Sequence, residues 1–430
     1  MLICGTACCA ITPKTPVALA GYAARWGKKS CGVHDDIFVK AFMFGNETER
    51  MLMLFADVEG MKSGLLEPVR RRIRTELGID KVSFSATHTH SAPHTYPQVQ
   101  LEREEMDETW VELLCEQLFR AAREATENTF AAAIGIGSIL VPEIARNRRK
   151  GHTLTDPTLA VLRIDDLDGH VRGILLTYGC HCTVLDGNNF LVTSDFPGAI
   201  YQQMKTQYPM AVCAFSNGAA GDINIGYSSD ASALGESMSI RTYENAERIG
   251  RILTQRATAC MKEISMEQEI PIGMQQSQLF LPIRTDLPDE TNVRKNMERI
   301  ERQMADCQNE EEHRALKLQR IYEQCVLLRL HDIKKGSKTL PVTVAWVRLG
   351  KRLYLTVPGE LFAEAGIMLK GRFRPEFDPV VLGYSNGYVG YLPSRAAMEE
   401  GGYEAETSIF AKNVADVLVE GLVAMKDSLV

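Results

Sequence analysis

Apolar residues come in two rhythms along the first 230 residues of this 430-residue chain. Short apolar runs at 38–44, 50–57, 81–87, 159–164, 172–180 and 210–215 have the length of β-strands. Between them, 62–77, 107–125 and 196–206 carry apolar residues at helical spacing. The last of these helices follows Asp195, whose carboxylate suits an N-cap, and has Pro197 in its first turn. Strands alternating with helices predict an α/β fold of mixed α+β layers. Residues 285–334 change character. From Asn292 to Leu330 the chain is charged and free of Gly and Pro, with apolar residues at helical spacing. That pattern predicts two helices forming a hairpin, a lid or an interface between copies in a homo-oligomer, with a coiled coil as the weaker alternative. Strand pattern returns at Val342–Val347 and Leu353–Val357. With no internal repeat, residues 1–430 are read as one catalytic domain with a helical insertion at 285–334.

Composition narrows the class. Hydrophobic residues make up 45% and charged residues 24%, ordinary for a soluble protein. A net charge of −7 gives no electrostatic case for nucleic acid. No apolar run reaches the roughly 18 residues of a membrane span. Eleven cysteines are odd in number and scattered, which speaks against a disulfide scaffold. The N-terminus lacks a basic segment followed by a long apolar one, so a reduced, cytoplasmic protein is expected.

The chemistry sits where strands end. His88 and His90, in Thr87-His88-Thr89-His90, follow the apolar strand 82–86. On extended backbone, residues two apart share a face, so both rings can look into one cavity, one as a zinc ligand and the other toward substrate. A surface pair making ordinary hydrogen bonds fits the spacing equally well. His181 ends a second strand between Cys180 and Cys182. Neighbours on a strand face opposite ways, so His181 is the preferred ligand and both cysteines are small core residues. Glu360 follows a Pro358-Gly359 turn after strand 353–357, either in a site or as a helix-terminal acid facing solvent. The stretch from Gly383 to Tyr391 presents tyrosines on a Gly-rich turn without phosphate-loop spacing. Asp222 and Asn224, in the small-residue string 219–224, can orient a ligand that approaches the backbone closely.

Taken in order, these segments resemble the catalytic domain of the neutral/alkaline non-lysosomal ceramidase family. The resemblance runs from Gly21-Tyr22 through Thr87-His88-Thr89-His90-Ser91-Ala92-Pro93 to Tyr403-Glu404-Ala405. It implies one zinc per chain, held by His88, His181, Glu360 and Tyr391, the second of the pair Tyr388 and Tyr391. It also implies that His90 contacts substrate or water and that Arg148 of Asn147-Arg148 faces the active site. Tyr403 and Tyr388 would line the cavity, with Asn147 beside them. Two departures matter. Asn224 falls where ceramide-cleaving members carry a serine, and the chain ends without the immunoglobulin-like domain of secreted members. A zinc hydrolase of an amide, ester or lactone in a small soluble substrate is therefore expected, with His90, Arg148, Asp222 and Asn224 around the reacting bond. The alternatives are a catalytically silent binding relative, a true ceramidase or N-acyl-lipid amidase, and a serine or cysteine hydrolase using Ser91, Cys180 or Cys182. The last lacks a Gly-x-Ser-x-Gly elbow.

Overall fold

Three strand–helix–strand crossovers organise the chain, and each carries one member of the buried group His88, His181 and Glu360. The computed structural model describes residues 1–25, 27–96 and 106–429. Its larger sheet contains β1 (Ile3–Ala10), β2 (Phe38–Gly45), β3 (Arg50–Ala56), β4 (Lys81–Ala86), β5 (Thr129–Leu140), β6 (Thr158–Asp166), β7 (Val171–Tyr178) and β8 (Val212–Asn217). They run in the order β8-β7-β6-β5-β1-β2-β3-β4, with Met266–Glu267 beside β5. Pairing is antiparallel through the middle and parallel at both edges, β3 with β4 and β7 with β8. A parallel pair needs a crossover. Helix α1 (Ser63–Leu77) makes the first, and α3 (Phe196–Gln207) makes the second. Helices α2 (Glu108–Glu127) and α4 (Tyr243–Glu263) lie beside them.

A four-stranded sheet follows, built from β9 (Ile272–Pro282), β10 (Thr339–Leu349), β11 (Arg352–Thr356) and β12 (Asp378–Leu382). Between β9 and β10 the chain leaves for α5 (Glu290–Asp306) and α6 (Glu310–Leu330), the helical pair that the charged segment predicts. The third crossover is β11, α7 (Ala363–Phe373) and β12, again a parallel pair. Helix α8 (Val414–Val423) closes the outer face.

Alternation along the strands explains the layering. In β3, Leu52 and Leu54 join the core under α1 and α2, whereas Met51, Met53 and Phe55 face the smaller sheet. In β11, Leu353 and Leu355 pack under α7 and α8, and Tyr354 faces the larger sheet. Both sheets are thus apolar on two faces, and the order of layers is helix, sheet, sheet, helix. This is the mixed α/β architecture that the pattern predicts. Asp195 caps α3 as expected, its carboxylate accepting from Phe196 N. No helix among the described residues is long and apolar enough to cross a membrane.

Candidate active site

In open α/β sheets, sites gather beyond the carboxyl ends of parallel strands. Here β4 leads to His88, β7 to His181 and β11 to Glu360, and the three meet. All three are buried, and one ligand atom from each lies within 4.8 Å of the others. The His88 loop is not extended, as the two-residue spacing suggested. His88 has φ 66°, and its N–H donates to the Val58 carbonyl at 2.9 Å. The turn still brings the rings together, with His90 Nε2 at 3.2 Å from His88 Nε2.

Each imidazole is fixed from behind. His88 Nδ1 lies 2.7 Å from the Glu59 carbonyl, and His181 Nδ1 lies 3.0 Å from the Ile223 carbonyl. A carbonyl only accepts, so both Nδ1 atoms carry the proton and both Nε2 lone pairs are free. Those lone pairs face Glu360 Oε2, at 3.5 Å from His88 and 3.0 Å from His181. Glu360 is held by β-bridge pairing of Glu360–Leu361 with Tyr391–Leu392, its N–H donating to the Gly390 carbonyl at 2.9 Å. Tyr388 Oη donates to its other oxygen at 2.7 Å. Burial pushes the Glu360 pKa up, but its polar neighbours, the Tyr388 hydroxyl among them, outweigh it and keep the carboxylate ionised. Burial lowers His88 to about 3, which keeps the ring neutral.

This donor set fits zinc. Two imidazoles with their far N–H groups anchored, plus a carboxylate, are zinc's preferred ligands. Bonds of about 2.0–2.1 Å in tetrahedral array set neighbouring donors about 3.3 Å apart, close to the separations seen here. Tyr391 is paired opposite Glu360 and lines the same cavity as His88 and His90. Its Oη accepts from Arg148 Nη2 at 3.0 Å. Arg148 is itself clamped, with Nε donating to Glu404 Oε1 at 2.7 Å and Nη2 to the Gly221 carbonyl at 2.8 Å. Arg148 therefore holds Tyr391 from the side, while Tyr388 and Tyr403 line the cavity. Its volume is about 100 Å³.

The other expected residues stand behind the site. Asn147 donates to Asp222 Oδ2 at 2.7 Å, and Asp222 Oδ1 accepts from Ala363 N at 2.8 Å, tying the Arg148 loop to the start of α7. Asn224 closes its own turn, Oδ1 accepting from Gly226 N and Tyr227 N while Nδ2 donates to the Tyr227 carbonyl. The close approach expected of the small residues is real but meets protein: a Cβ on Gly221 would lie 2.4 Å from the Glu360 carbonyl oxygen. Cys180 and Cys182 are buried, burial raises both thiols, and all eleven cysteines are free.

Sequence reasoning missed Glu59, Tyr96 and the particular residues that the α6 segment, read as a lid or an interface, brings to the cavity. Glu59 lines the cavity, accepts from Tyr96 Oη at 2.8 Å, and is pushed up to about 7 by burial. It follows β3 just as Glu360 follows β11, so the strand-end rule that selects one selects the other. Gln324, Cys325 and Arg329 of α6 border the cavity from above.

The sequence of the chain matches a known family. The model described as neutral/alkaline non-lysosomal ceramidase, N-terminal, covers residues 4–231, more than half the chain, and the chain belongs to that family. Neutral ceramidases from Drosophila pseudoobscura pseudoobscura and Drosophila melanogaster are each 28% identical to it over 219 residues. The match takes in 46% of this chain and 31% of each fly protein, so the chain spans under a third of those relatives. The neutral ceramidase from Pseudomonas aeruginosa superposes over 100% of this chain and 74% of its own, with TM-score 0.77 and 16% identity. A ceramidase complexed with C2 gives TM-score 0.75, 16% identity and coverage of 100% and 75%. At that identity the likeness speaks for the fold.

Proposed function

We propose that this chain is a zinc-dependent hydrolase that cleaves an amide bond in a small substrate, with His88, His181, Glu360 and Tyr391 as ligands. The observation that carries the reading is the pair of imidazoles, each anchored at Nδ1 and each turning Nε2 to one Glu360 oxygen. Kinship with neutral ceramidases supports amide chemistry. When bound, the ion supplies Lewis acidity and makes water nucleophilic near neutral pH. The chain supplies the rest. Tyr388 fixes the Glu360 carboxylate, and Arg148 donates to the Tyr391 oxygen and favours its negative charge. His90 borders the cavity with a neutral ring, its pKa lowered by burial, and its buried Nδ1 has no protein partner. As a neutral base it is placed to take a proton from the attacking water and then pass that proton to the leaving nitrogen. The cavity, about 100 Å³ among the described residues, favours a short acyl group over a long chain.

The test is metal content by mass spectrometry, then hydrolysis of N-acyl amides, esters and lactones with and without chelator. About one zinc per chain and chelator-sensitive amide cleavage are expected. Full zinc retention by a His88→Ala, His181→Ala double variant would sink the ligand assignment.

A further inference from the structure

Arg329, on the last turn of α6, borders the cavity together with Tyr388 and Tyr391. Its Cζ lies 4.6 Å from the Tyr388 ring centroid, and Tyr388 Oη is the donor to Glu360. One aromatic ring therefore separates this guanidinium from the carboxylate of the ligand set. Its Nη1 is buried without a hydrogen-bond partner. Among the described residues no carboxylate pairs with it. Of the acids near enough to act on its charge, Asp332 gives Oδ1 to Lys62 Nζ at 2.6 Å and keeps a buried Oδ2 without a partner, and Glu59 accepts from Tyr96 Oη at 2.8 Å; neither forms an ion pair with Arg329.

A desolvated guanidinium with an idle N–H is costly unless something completes it. Its planar fork matches a carboxylate better than any neutral group. The Tyr388 ring under its Cζ holds the guanidinium at the cavity. Arg25, another cation at the cavity, has no such vacancy, since its N–H groups donate to the Ala20, His90 and Asn189 carbonyls.

Building on the amide-hydrolase reading, we propose that the substrate is a short N-acyl amino acid and that Arg329 receives its free carboxylate. Arg329 is then what separates an acylated amino acid from a neutral amide of the same size. A plain structural brace for Tyr388 would treat both alike.

The test pairs binding with kinetics on the full chain. The probe 4-oxopentanoate replaces the N–H of N-acetylglycine by CH₂ and cannot be hydrolysed at that position. By titration calorimetry it is expected to bind at least tenfold tighter than its methyl ester. Arg329→Gln should abolish that preference, and Arg329→Lys should keep part of it. In turnover, Arg329→Gln should raise KM for N-acetylglycine at least tenfold and leave KM for N-ethylacetamide unchanged. Equal binding of acid and ester by the unaltered protein overturns the proposal, as does an equal loss on both amides in Arg329→Gln. Should Arg329→Gln fail to fold, the acid–ester comparison and Arg329→Lys still decide. If no amide is cleaved, the hydrolase reading falls, and the titration still judges the carboxylate site.

Discussion

Gly21 lies against His90 so closely that a Cβ there would come within 2.1 Å of the ring's Cγ, and its φ of 90° is unfavourable for any other residue. Gly21→Ala should push His90 out of line with His88. At least a tenfold loss in kcat/KM is expected with secondary structure retained by circular dichroism; full activity would mean that His90 needs no fixed position. Asp195 offers a prediction about stability. It accepts from Val184, Leu185 and Phe196 N–H groups, yet burial outweighs them and raises its pKa from 3.8 to about 6. Between those values the folded state holds a proton that the unfolded state has released. Stability from this group is therefore complete below about 3.8 and is lost as pH rises through about 6, by up to about 3 kcal/mol. Asp195→Asn tolerates the positive φ but turns an N–H₂ toward Leu185 N–H. The variant should melt lower overall, with a flatter melting temperature between pH 4 and 7 than the parent. Parallel pH curves for the two would remove Asp195 from the titration. The sequence made His88, His181 and Glu360 legible because each follows an apolar strand directly. Asn224 and Asp222 were equally visible, but their side-chain partners lie within their own turn, at Asn147 or at the start of α7, and no local pattern reveals that.

The helical pair α5–α6 is an element whose removal can be foreseen. It leaves and rejoins between Pro282 and Thr339, which are already paired in the β9–β10 ladder, and Ile283 N donates to the Lys338 carbonyl at 2.9 Å. Its interior, Val293, Met297, Val326 and Leu327, is largely its own, while Ile321 reaches Ala233 and Leu234. Replacing residues 284–337 with a short turn should leave zinc content unchanged and lower the melting temperature by only a few degrees. KM for N-acyl amides should rise at least tenfold, because Gln324 and Arg329 go with the hairpin. Loss of zinc on that deletion would show that the roof also supports the floor. Charged helices without Gly or Pro made this pair readable in sequence. Strands β1 and β5 escaped, since Ile3–Ala10 and Thr129–Leu140 are rich in Ala, Gly and Cys, weak strand formers individually. They are strands because neighbours on both sides supply ladders.

For the whole molecule, the site is a junction. Its residues come from the ends of three crossovers, two in the larger sheet and one in the smaller, so an ion bound there ties both sheets at one point. Ligand linkage adds about 4 kcal/mol at free zinc a thousandfold above its Kd. Chelation is expected to lower the melting temperature by several degrees and added zinc to restore it; indifference to both would count against the junction as a metal site. The hairpin has a different standing in this arrangement. Because the ladder fixes both its ends, the entropy of closing it grows only with the logarithm of its length. The roof over the cavity can thus lengthen, shorten or change its charges at small cost to folding, while the crossover ends that carry His88, His181 and Glu360 stay as they are. Substrate preference and catalytic apparatus are in this way free to drift at separate rates.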